Sequence, residues 1–555
     1  MRQTARRDAA AEPDAGPAGP AVGPLERGLQ VLQALCEGPQ RPADLVRGTG
    51  LVRSTVDRVV STLVRVGYVR WQGREVAPAP RLMELGNAYL SGSGLPAALS
   101  APALELSEAL DESVSLAVAD RDGVRFVLQS PRRRAMSVSF RVGDLLPAEL
   151  CAPGAIFAAG WDAGAWRSWE RRVAGAAGDA PRFSVPAGAR ADAAADLRRR
   201  AADFERTGWA VDDQLIEPGL IAVAVPVRAP DGAVACAVSV VSHTSRHTAA
   251  SLREHALPEL RASVRRMEAA LAAPPAAPPA GRAARRTGVD RSREVKQELG
   301  PDFLQSLQRG LAVMAALGTP GGATIAEAAA ATGLPRATAR RALASLRTLG
   351  YAAEAGGRFT LLPRVLDLGY AALSGLALEE IAAPHLRRLV EEVGDSASLS
   401  VLEGTDIRYV ARAPAGRIMS VAISVGTRFP AYATSMGRVL LAGLDDDAAR
   451  DLLERSDRRP FTAATRTGVA DLAREVARVR ADGHALVDQE LEEGLRSLAV
   501  PVRDRGGRVV AAANLAAHAG PEPPERTRER LLPALAAAAR AIETDLAVVT
   551  EHLPR

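Results

Sequence analysis

Two arginine-rich stretches of this chain have the residue types and the spacing to contact a nucleic acid. In the first stretch the candidates are Arg53, Ser54, Thr55 and Arg58. In the second stretch the matching candidates are Arg336, Thr338, Arg340 and Arg341. Guanidinium and hydroxyl groups reach phosphate oxygens and guanine edges, so both stretches are candidate DNA contacts. An arginine-rich face can also be plain solvated surface, and its structural context must decide.

Each stretch lies on the third of three predicted helices. The first helix has apolar residues at helical spacing, over residues 25–35 in one place and 307–317 in the other. The second helix is short and ends at Gly50 or Gly333. The third helix combines the polar candidates with an apolar stripe, made of Val56, Val59, Val60 and Leu63 or of Ala339, Ala342, Leu343 and Leu346.

A hairpin-like segment follows each third helix. Arg74 and Arg358 stand beside the glycine turns of these segments, and we expect both to contact DNA. Helix, short helix, turn, helix and two-stranded wing is the order of a winged helix-turn-helix domain. The two heads differ at Asp57, and at Ala337, which stands where the first head has Ser54. They should therefore not bind identical DNA.

The heads belong to a duplication of nearly the whole chain. PRLMELG from Pro80 recurs as PRVLDLG from Pro363, a spacing of 283 residues. GWAVDDQLIEPGLIAVAVPV from Gly208 recurs as GHALVDQELEEGLRSLAVPV from Gly483, a spacing of 275 residues. A period this long is a module with its own domains and not a solenoid unit.

The duplication sets the predicted domain boundaries. The two winged heads are residues 24–80 and 302–363, and the linker helices with their large domains are residues 81–271 and 364–549. Residues 1–23 are predicted to be a disordered tail. Residues 272–301 are rich in Pro and Ala and then highly charged, which is typical of an extended tether.

Composition and motifs argue against several classes of protein. Cys36, Cys151 and Cys236 are far apart and the seven His are scattered, so neither a disulfide framework nor a metal site is predicted. No P-loop, Rossmann glycine run or G-x-S-x-G elbow occurs in its structural context, so we expect neither catalysis nor a cofactor. No apolar run is long enough for a signal peptide or a membrane span, which predicts a cytoplasmic, nucleoid-associated protein without a membrane partner.

Beyond each head the pattern changes to short alternating strands mixed with alanine-striped helices. SVSLAVAD and VRFVLQS in the first copy correspond to SASLSVLEG and DIRYVARA in the second. The last strands of each copy, around VAVPV and LAVPV, return after the helices. This mixture predicts an α+β fold with a largely antiparallel sheet.

These motifs match a known family. Both copies resemble IclR-type transcriptional regulators over nearly their full length, and the second copy is similar to the branch that controls protocatechuate and 4-hydroxybenzoate catabolism. The segments that carry the resemblance are SLQRGLAVM from Ser306, RATARRALASLRTLGY from Arg336, RIMSVAISVGTRFPAYATSMGRVLLAGL from Arg417 and DQELEEGLRSLAVPVRD from Asp488. The resemblance implies two tandem copies of a winged helix-turn-helix domain plus a GAF-like effector domain, with linker helices near residues 81–90 and 364–373.

The resemblance also implies an effector pocket in the second copy. Its expected lining residues are Thr434, Ser435, Met436, Asp488, Ser497 and Asn514, with Arg417 and Arg496 as nearby cations. Hydroxyl, amide and arginine donors suit the carboxylate of a small aromatic acid, and apolar walls suit its ring. The alternative for Ser435 and Ser497 is that their hydroxyls only satisfy backbone groups.

The first copy departs from this pattern. Cys151, Ala152 and Pro153 replace Thr434, Ser435 and Met436, and Ile221 and Ala222 replace Arg496 and Ser497. Only Asp212 or Asp213 and Ser239 remain polar. We therefore expect the first large domain to be structural, or to take a different and less polar ligand.

Together these patterns predict a DNA-binding regulator of catabolic genes, fused as a tandem dimer. Its expected partners are double-stranded operator DNA and a small aromatic carboxylate, further units through self-association, and RNA polymerase if it is an activator. A tether raises the effective concentration of two heads on one chain, which favours a pseudo-dimer. The alternative is a ligand-sensing scaffold without DNA binding, since residues 1–90 and 302–375 each carry a net charge of only +3.

Overall fold

The computed structural model describes two heads and two large domains, over residues 23–132, 140–175, 183–185, 193–273, 303–415 and 423–552. The predicted tail and most of the predicted tether lie outside these ranges, and so does Arg417. Within the described ranges, no helix is long and apolar enough to cross a membrane.

The first head is a three-helix unit with a two-stranded wing. Its elements are α1 (Pro24–Leu35), α2 (Pro42–Thr49), α3 (Arg53–Val66), β1 (Val69–Gln72) and β2 (Glu75–Pro78). Helix α2 ends at Gly50, whose φ of 69° is left-handed and lets the chain turn into α3. The predicted apolar stripe of α3 is buried against the other two helices, so its remaining face is left to solvent.

The second head repeats this order with one addition. Its elements are α10 (Gln305–Ala316), β9 (Ala323–Thr324), α11 (Ile325–Thr332), α12 (Arg336–Thr348), β10 (Ala352–Ala355) and β11 (Arg358–Leu361). Thr324 and Glu327 form a capping box at the start of α11, with hydrogen bonds of 3.2 and 2.8 Å. Strand β9 joins the wing as a third strand. The first head has a single bridge there, between Gln40 and Val76.

Each large domain is a six-stranded antiparallel sheet with helices. In the first copy the elements are α5 (Leu95–Leu110), β3 (Ser113–Asp120), β4 (Gly123–Ser130), β5 (Leu145–Pro147), α6 (Ala152–Ala158), α7 (Ala163–Val173), α8 (Leu197–Thr207), β6 (Ala210–Asp213), β7 (Leu220–Arg228), β8 (Val234–His243) and α9 (Ala249–Ala272). The strand order is β5-β4-β3-β8-β7-β6. The long helices α5 and α9 pack together on one side of the domain, and the short α6 lies against β7 and β8.

The second large domain has the same topology. Its elements are α14 (Leu378–Val393), β12 (Ser396–Glu403), β13 (Asp406–Ala413), β14 (Arg428–Pro430), α15 (Ser435–Ala442), α16 (Asp446–Arg455), α17 (Val469–Asp482), β15 (Ala485–Asp488), β16 (Leu495–Arg503), β17 (Val509–His518) and α18 (Pro524–Val549). The strand order is β14-β13-β12-β17-β16-β15, again antiparallel throughout. The predicted α+β class and its antiparallel sheet are confirmed.

The two linkers differ, although a helix was expected in both. In the first copy a 3₁₀ turn at Pro80–Leu82 leads into one continuous helix, α4 (Met83–Ser93). In the second copy a 3₁₀ turn at Pro363–Asp367 is followed by a single helical turn, α13 (Tyr370–Leu373). The prediction of a continuous helix over 364–373 is wrong, because Gly369 takes a left-handed φ of 89° between the two pieces.

The two heads pack against each other through α1 and α10. A Cβ atom added to Gly28 would lie 2.2 Å from Leu307 Cδ1, and one added to Gly310 would lie 2.7 Å from Leu25 Cδ1. Each helix thus inserts a leucine at the glycine of the other, as expected for two equivalent helices around a pseudo-two-fold axis. The two heads therefore lie side by side within one chain.

Candidate functional site

Helices α3 and α12 present the predicted DNA-contacting residues to solvent. Arg53, Ser54 and Arg58 are exposed on α3, and Arg336, Arg340 and Arg341 are exposed on α12, whereas Thr55 and Thr338 are half-buried. Both helices begin directly after the turn that follows the short helix. This is the position from which a recognition helix enters the major groove.

The two helices differ in the charge at the position of Asp57. Arg53 Nε donates to both carboxylate oxygens of Asp57 at 3.1 Å. The equivalent positions on α12 are Arg336 and Arg340, so the carboxylate is replaced by a second guanidinium. Helix α12 therefore offers a more positive face to a phosphate backbone than α3 does.

The two wing arginines are also placed differently. Arg74 is exposed beside Gly73 in the turn between β1 and β2. Arg358 turns back to its own head, where Nη2 donates to Gly322 O at 2.8 Å and Nε to Gly321 O at 3.1 Å. It also pairs with Glu327 at 3.1 Å. A DNA contact by Arg358 would require these interactions to be given up, because its donors already serve the loop before α11.

A cavity of about 220 Å³ lies in the second large domain, between the start of α15 and the sheet. Of the expected effector-binding residues it is lined by Thr434, Ser435, Met436, Ser497 and Asn514. Gly437 holds the start of α15 close to the preceding turn, since a Cβ there would lie 2.1 Å from Ala431 O. Pockets for drug-sized ligands measure roughly 300–1,000 Å³, so this cavity suits a smaller molecule with one ring.

Three polar side chains form a connected group in the cavity wall. Ser435 Oγ lies 2.6 Å from Ser497 Oγ, and Asn514 Nδ2 donates to Ser497 Oγ at 3.0 Å. Asn514 is 3% exposed, and its Oδ1 has no hydrogen-bond partner among the described residues. A buried acceptor without a donor is costly, so this atom is suited to a hydroxyl or amine supplied by a ligand. Thr434 Oγ1 instead accepts from Gly437 N at 3.0 Å and caps α15.

The remaining walls are largely apolar and were not named from the sequence. They are supplied by Tyr409, Ile423, Phe429, Ala433, Phe461, Val487, Leu491, Leu495 and Ala516, with Glu492 at one side. Val487 and Ala516 could be inferred as wall residues from strand alternation, once it is known which residues of β15 and β17 face the cavity. Phe461 lies outside the helices and strands, and no local pattern indicates it.

Asp488 and Arg496 do not line the cavity, and their expected place in the effector site is a prediction that the geometry corrects. Arg496 is 4% exposed, and its Nε donates to Asp488 Oδ1 at 2.8 Å. Its Nη1 donates to Thr527 Oγ1 at 2.7 Å and to Glu522 O at 2.8 Å. Neighbouring residues of a strand face opposite sides of a sheet, so Ser497 faces the cavity and Arg496 faces α18.

A buried ion pair that the sequence did not reveal lies behind the cavity. Arg438 of α15 is 1% exposed and donates from Nη1 and Nη2 to the two carboxylate oxygens of Glu490, at 2.8 and 2.5 Å. Glu490 also accepts from Arg466 N at 3.0 Å. The pair thus ties the cavity helix to the loop that carries Leu491, and to the segment after Phe461. Only the tertiary structure brings these residues together, because they are far apart in sequence.

The equivalent region of the first copy is largely apolar, and its polar groups are the hydroxyl of Ser239 and one carboxyl group. Ala152 and Ala222 replace the two serines, and both are buried in an apolar cluster that includes Phe126 and Leu150. Asp212 pairs in register with Ala222, as Val487 does with Ser497 in the second copy. Burial raises the pKa of Asp212 to about 7, while its hydrogen bond from Leu215 N and the nearby Arg200 oppose this. The first copy therefore lacks the hydroxyl pair of the second.

No group of three or more His, Cys, Asp or Glu among the described residues could hold a metal ion.

Family models match this chain twice in tandem. The IclR helix-turn-helix domain matches residues 24–73 and 306–356. The model described as "Bacterial transcriptional regulator IclR C-terminal" matches residues 87–269 and 370–544, which together exceed half of the chain. This chain belongs to the IclR family.

Curated IclR-family relatives match about one copy's length of the chain. The Pca regulon regulatory protein of Pseudomonas putida is 46% identical over 242 residues, covering 43% of this chain and 83% of the relative. The p-hydroxybenzoate hydroxylase transcriptional activator of Acinetobacter baylyi is 30% identical over 250 residues, covering 44% of this chain and 91% of the relative. These relatives are regulators and not enzymes, in agreement with the absence of a predicted catalytic site.

One similar solved structure also corresponds to about one copy of this chain. A transcriptional regulator from Rhodococcus sp. RHA1 is 50% identical and covers 44% of this chain and 99% of that chain, with a TM-score of 0.43. The two family models, each matched twice in the same order, show that the chain is an IclR-type regulator with two family units in tandem.

Proposed function

We propose that this chain is a one-chain pseudo-dimeric DNA-binding regulator of catabolic genes whose second large domain binds a small hydroxylated aromatic carboxylate. The observation that carries the proposal is the cavity between α15 and the sheet, with its connected Ser435, Ser497 and Asn514 side chains. The relatives named for the pca regulon and for p-hydroxybenzoate hydroxylase support this class of ligand.

The arrangement of the cavity supports one orientation of the ligand. The first residues of α15 line one end, and a helix N-terminus carries a partial positive charge that favours a carboxylate. Glu492 lies at the side of the cavity and disfavours the carboxylate there. The ring would pack against the apolar walls, and a ring hydroxyl would donate to the free Oδ1 of Asn514. This contact would favour hydroxybenzoates over benzoate.

The exposed faces of α3 and α12 support the proposed DNA binding. The two heads are held together by α1 and α10, so a single chain would present both recognition helices to one operator. Because Asp57 neutralises Arg53 on α3, whereas Arg340 stands at the equivalent position on α12, the two halves of the operator would contribute unequally. Phosphate contacts release counterions, so binding should weaken steeply as salt is raised.

The test is fluorescence-detected binding of the purified protein to its own upstream DNA, titrated with protocatechuate, 4-hydroxybenzoate and benzoate. Three proteins are compared, namely the natural chain and its Arg340→Ala and Ser435→Ala variants. Arg340→Ala should weaken DNA binding and reduce its salt dependence. Ser435→Ala should leave DNA binding intact and remove the response to the acids.

Two outcomes contradict the proposal. DNA binding that is absent, or insensitive to salt and to Arg340→Ala, favours the alternative of a ligand-sensing scaffold. A response to benzoate as strong as that to 4-hydroxybenzoate removes the role assigned to Asn514. Arg450→Ala, an exposed arginine on α16, serves as the matched control for loss of one positive charge.

A further inference from the structure

The two linkers meet at residues that occupy equivalent positions in the two copies. Asn87 lies in α4 and Tyr370 begins α13, 283 residues later. Tyr370 donates its hydroxyl to Asn87 Oδ1 at 2.9 Å, and Asn87 Nδ2 donates to Val548 O at 2.9 Å. Both side chains are 3% exposed. Equivalent residues that touch each other lie on the pseudo-two-fold axis, so both linkers contribute the same surface to this contact.

The two sides of this contact differ in size. A Cβ added to Gly86 would lie 2.2 Å from Tyr370 Cδ2 and 2.9 Å from Leu366 Cδ2. The tyrosine ring therefore lies directly against the backbone of α4, where no side chain stands in its way. The first linker offers a small surface with an amide, and the second linker fills it with a large ring and a hydroxyl.

We infer that the linkers form an interface that selects unlike pairing, the first copy with the second, over pairing of two like copies from different chains. Two first copies would place Asn87 against Asn87, which removes the ring and leaves a cavity. Two second copies would place Tyr370 against Tyr370, which leaves Val548 O without its amide donor and crowds the rings. The leucine–glycine contacts of α1 and α10 do not discriminate, because both copies have the same residues there.

A second junction joins the first large domain to the second linker. Arg125, which is 2% exposed, bonds to Asp120 and to Gly143 O within the first large domain and also to Asp367 of the second linker. Arg121 adds a contact to Asp367 at 2.9 Å.

Among the described residues, the equivalent pair of Arg408 and Glu84 is not formed. Arg408, the counterpart of Arg125, pairs with Glu403, and Glu84, the counterpart of Asp367, pairs with Arg81. Two copies related by a true two-fold axis would form such a junction twice or not at all. The single junction is thus a further mark of unlike pairing. This inference rests on the pseudo-dimer of the proposed function and names the residues that select its pairing, although neither DNA nor a ligand takes part in it.

The experiment cuts the folded full chain at a protease site inserted between residues 285 and 286 and measures which halves pair. Cut protein labelled with ¹⁵N is mixed with unlabelled cut protein, and urea is raised until the labels have fully exchanged. Native mass spectrometry then counts unlike and like pairs at equilibrium. We expect unlike pairs to exceed like pairs by at least about tenfold. The reason is that each like pair contains either a cavity or a carbonyl oxygen that has lost its amide donor.

Variants distinguish a preference for unlike pairs from a general tendency of the halves to associate. Asn87→Tyr should bring the pair distribution close to random, and Asn87→Tyr combined with Tyr370→Asn should restore part of the preference, because Gly369 stands where Gly86 does. Gly28→Ala combined with Gly310→Ala is the matched control, because every kind of pair then loses the same two leucine–glycine contacts and the ratio of the pairs should not change. A random distribution for the natural sequence, a majority of like pairs, or halves that stay single would each overturn the inference, whatever the outcome of the DNA and ligand titrations.

Discussion

The two large domains have the same strand order, but the side chains in the region of the cavity differ between the two copies. In the second copy Ser435, Ser497 and Asn514 meet in a cavity with apolar walls. In the first copy alanines replace the serines, and Asp212 is the buried carboxyl group at the position of Val487. The sheet does not need the serines to form, so the hydroxyl pair is a feature of the site and not of the fold.

The two copies also differ at the ion pair behind the cavity and on the recognition helices. The Arg438–Glu490 pair that holds the cavity walls has Ala155 and Leu215 as its counterparts in the first copy, both buried in an apolar cluster. In the heads, Asp57 stands where the second copy has Arg340. The polar groups on which the proposed function depends thus lie in the second copy, and their counterparts in the first copy are apolar or neutralised. Variants that exchange these residues test what the difference means.

The largest effect is expected from separating the buried ion pair. Arg438→Ala or Glu490→Leu alone should lower the free energy of unfolding by about 3 kcal/mol. The remaining buried charge then keeps only a longer contact, Glu490 with Arg466 at 3.6 Å or Arg438 with Glu475 at 3.9 Å. The double variant imports the pair found in the first copy and should recover much of this loss. Urea unfolding measures all three, and a double variant as unstable as the worse single one would contradict a pairwise role.

Asp212 should make the stability of the first copy depend on pH. Its folded pKa of about 7 lies above its ordinary value of 3.8, so the folded state holds the proton more tightly. Its contribution is complete below pH 4 and is lost as the pH rises towards about 7. Asp212→Asn should remove this dependence and gain roughly 3 kcal/mol in free energy of unfolding at pH 8.

The control for this prediction is Asp213→Asn, which changes the exposed neighbouring carboxylate. Urea unfolding at pH 5 and pH 8 is measured for both variants. If Asp212→Asn keeps the pH slope of the natural protein, another group is responsible for it.

Exchanging the acidic and basic positions of the two recognition helices should change DNA affinity in opposite directions. Arg340→Asp gives α12 the residue of α3 and should weaken binding by about 100-fold, since it removes one contact and pairs Arg336 with a carboxylate. Asp57→Arg should strengthen binding by about tenfold and steepen its salt dependence, because Arg53 is released. Equal effects of Arg340→Asp and of Arg450→Asp would show that only net charge matters.

The smallest effect is expected at the amide of the cavity. Asn514→Ser imports the residue of the first copy and should weaken binding of 4-hydroxybenzoate by about tenfold, while binding of benzoate changes little. Isothermal titration calorimetry on the full chain measures both ligands. Ser239→Asn, the reverse exchange in the first copy, should leave both affinities unchanged. A loss of affinity for benzoate as large as that for 4-hydroxybenzoate would assign Asn514 a structural role instead.

Local patterns were enough for much of the fold. The apolar stripe of α3 and the glycine turns at Gly50 and Gly333 were all correctly located, because each depends on residues within a few positions of one another. The effector residues were located less well. Ser497 and Asn514 reach the cavity, but Arg496 faces α18, since a resemblance in sequence does not state which face of a strand is buried against what.

The sequence by itself determined the duplication, the order of elements in each copy and the residues that distinguish the copies. The tertiary structure alone decided the pairing of Arg438 with Glu490, the return of Arg358 to its own head and the contact of Asn87 with Tyr370. The physical reason is the same in each case. Helices, turns and strand faces follow from short-range periodicity, whereas the partner of a buried charge or amide is set by which distant segments pack around it.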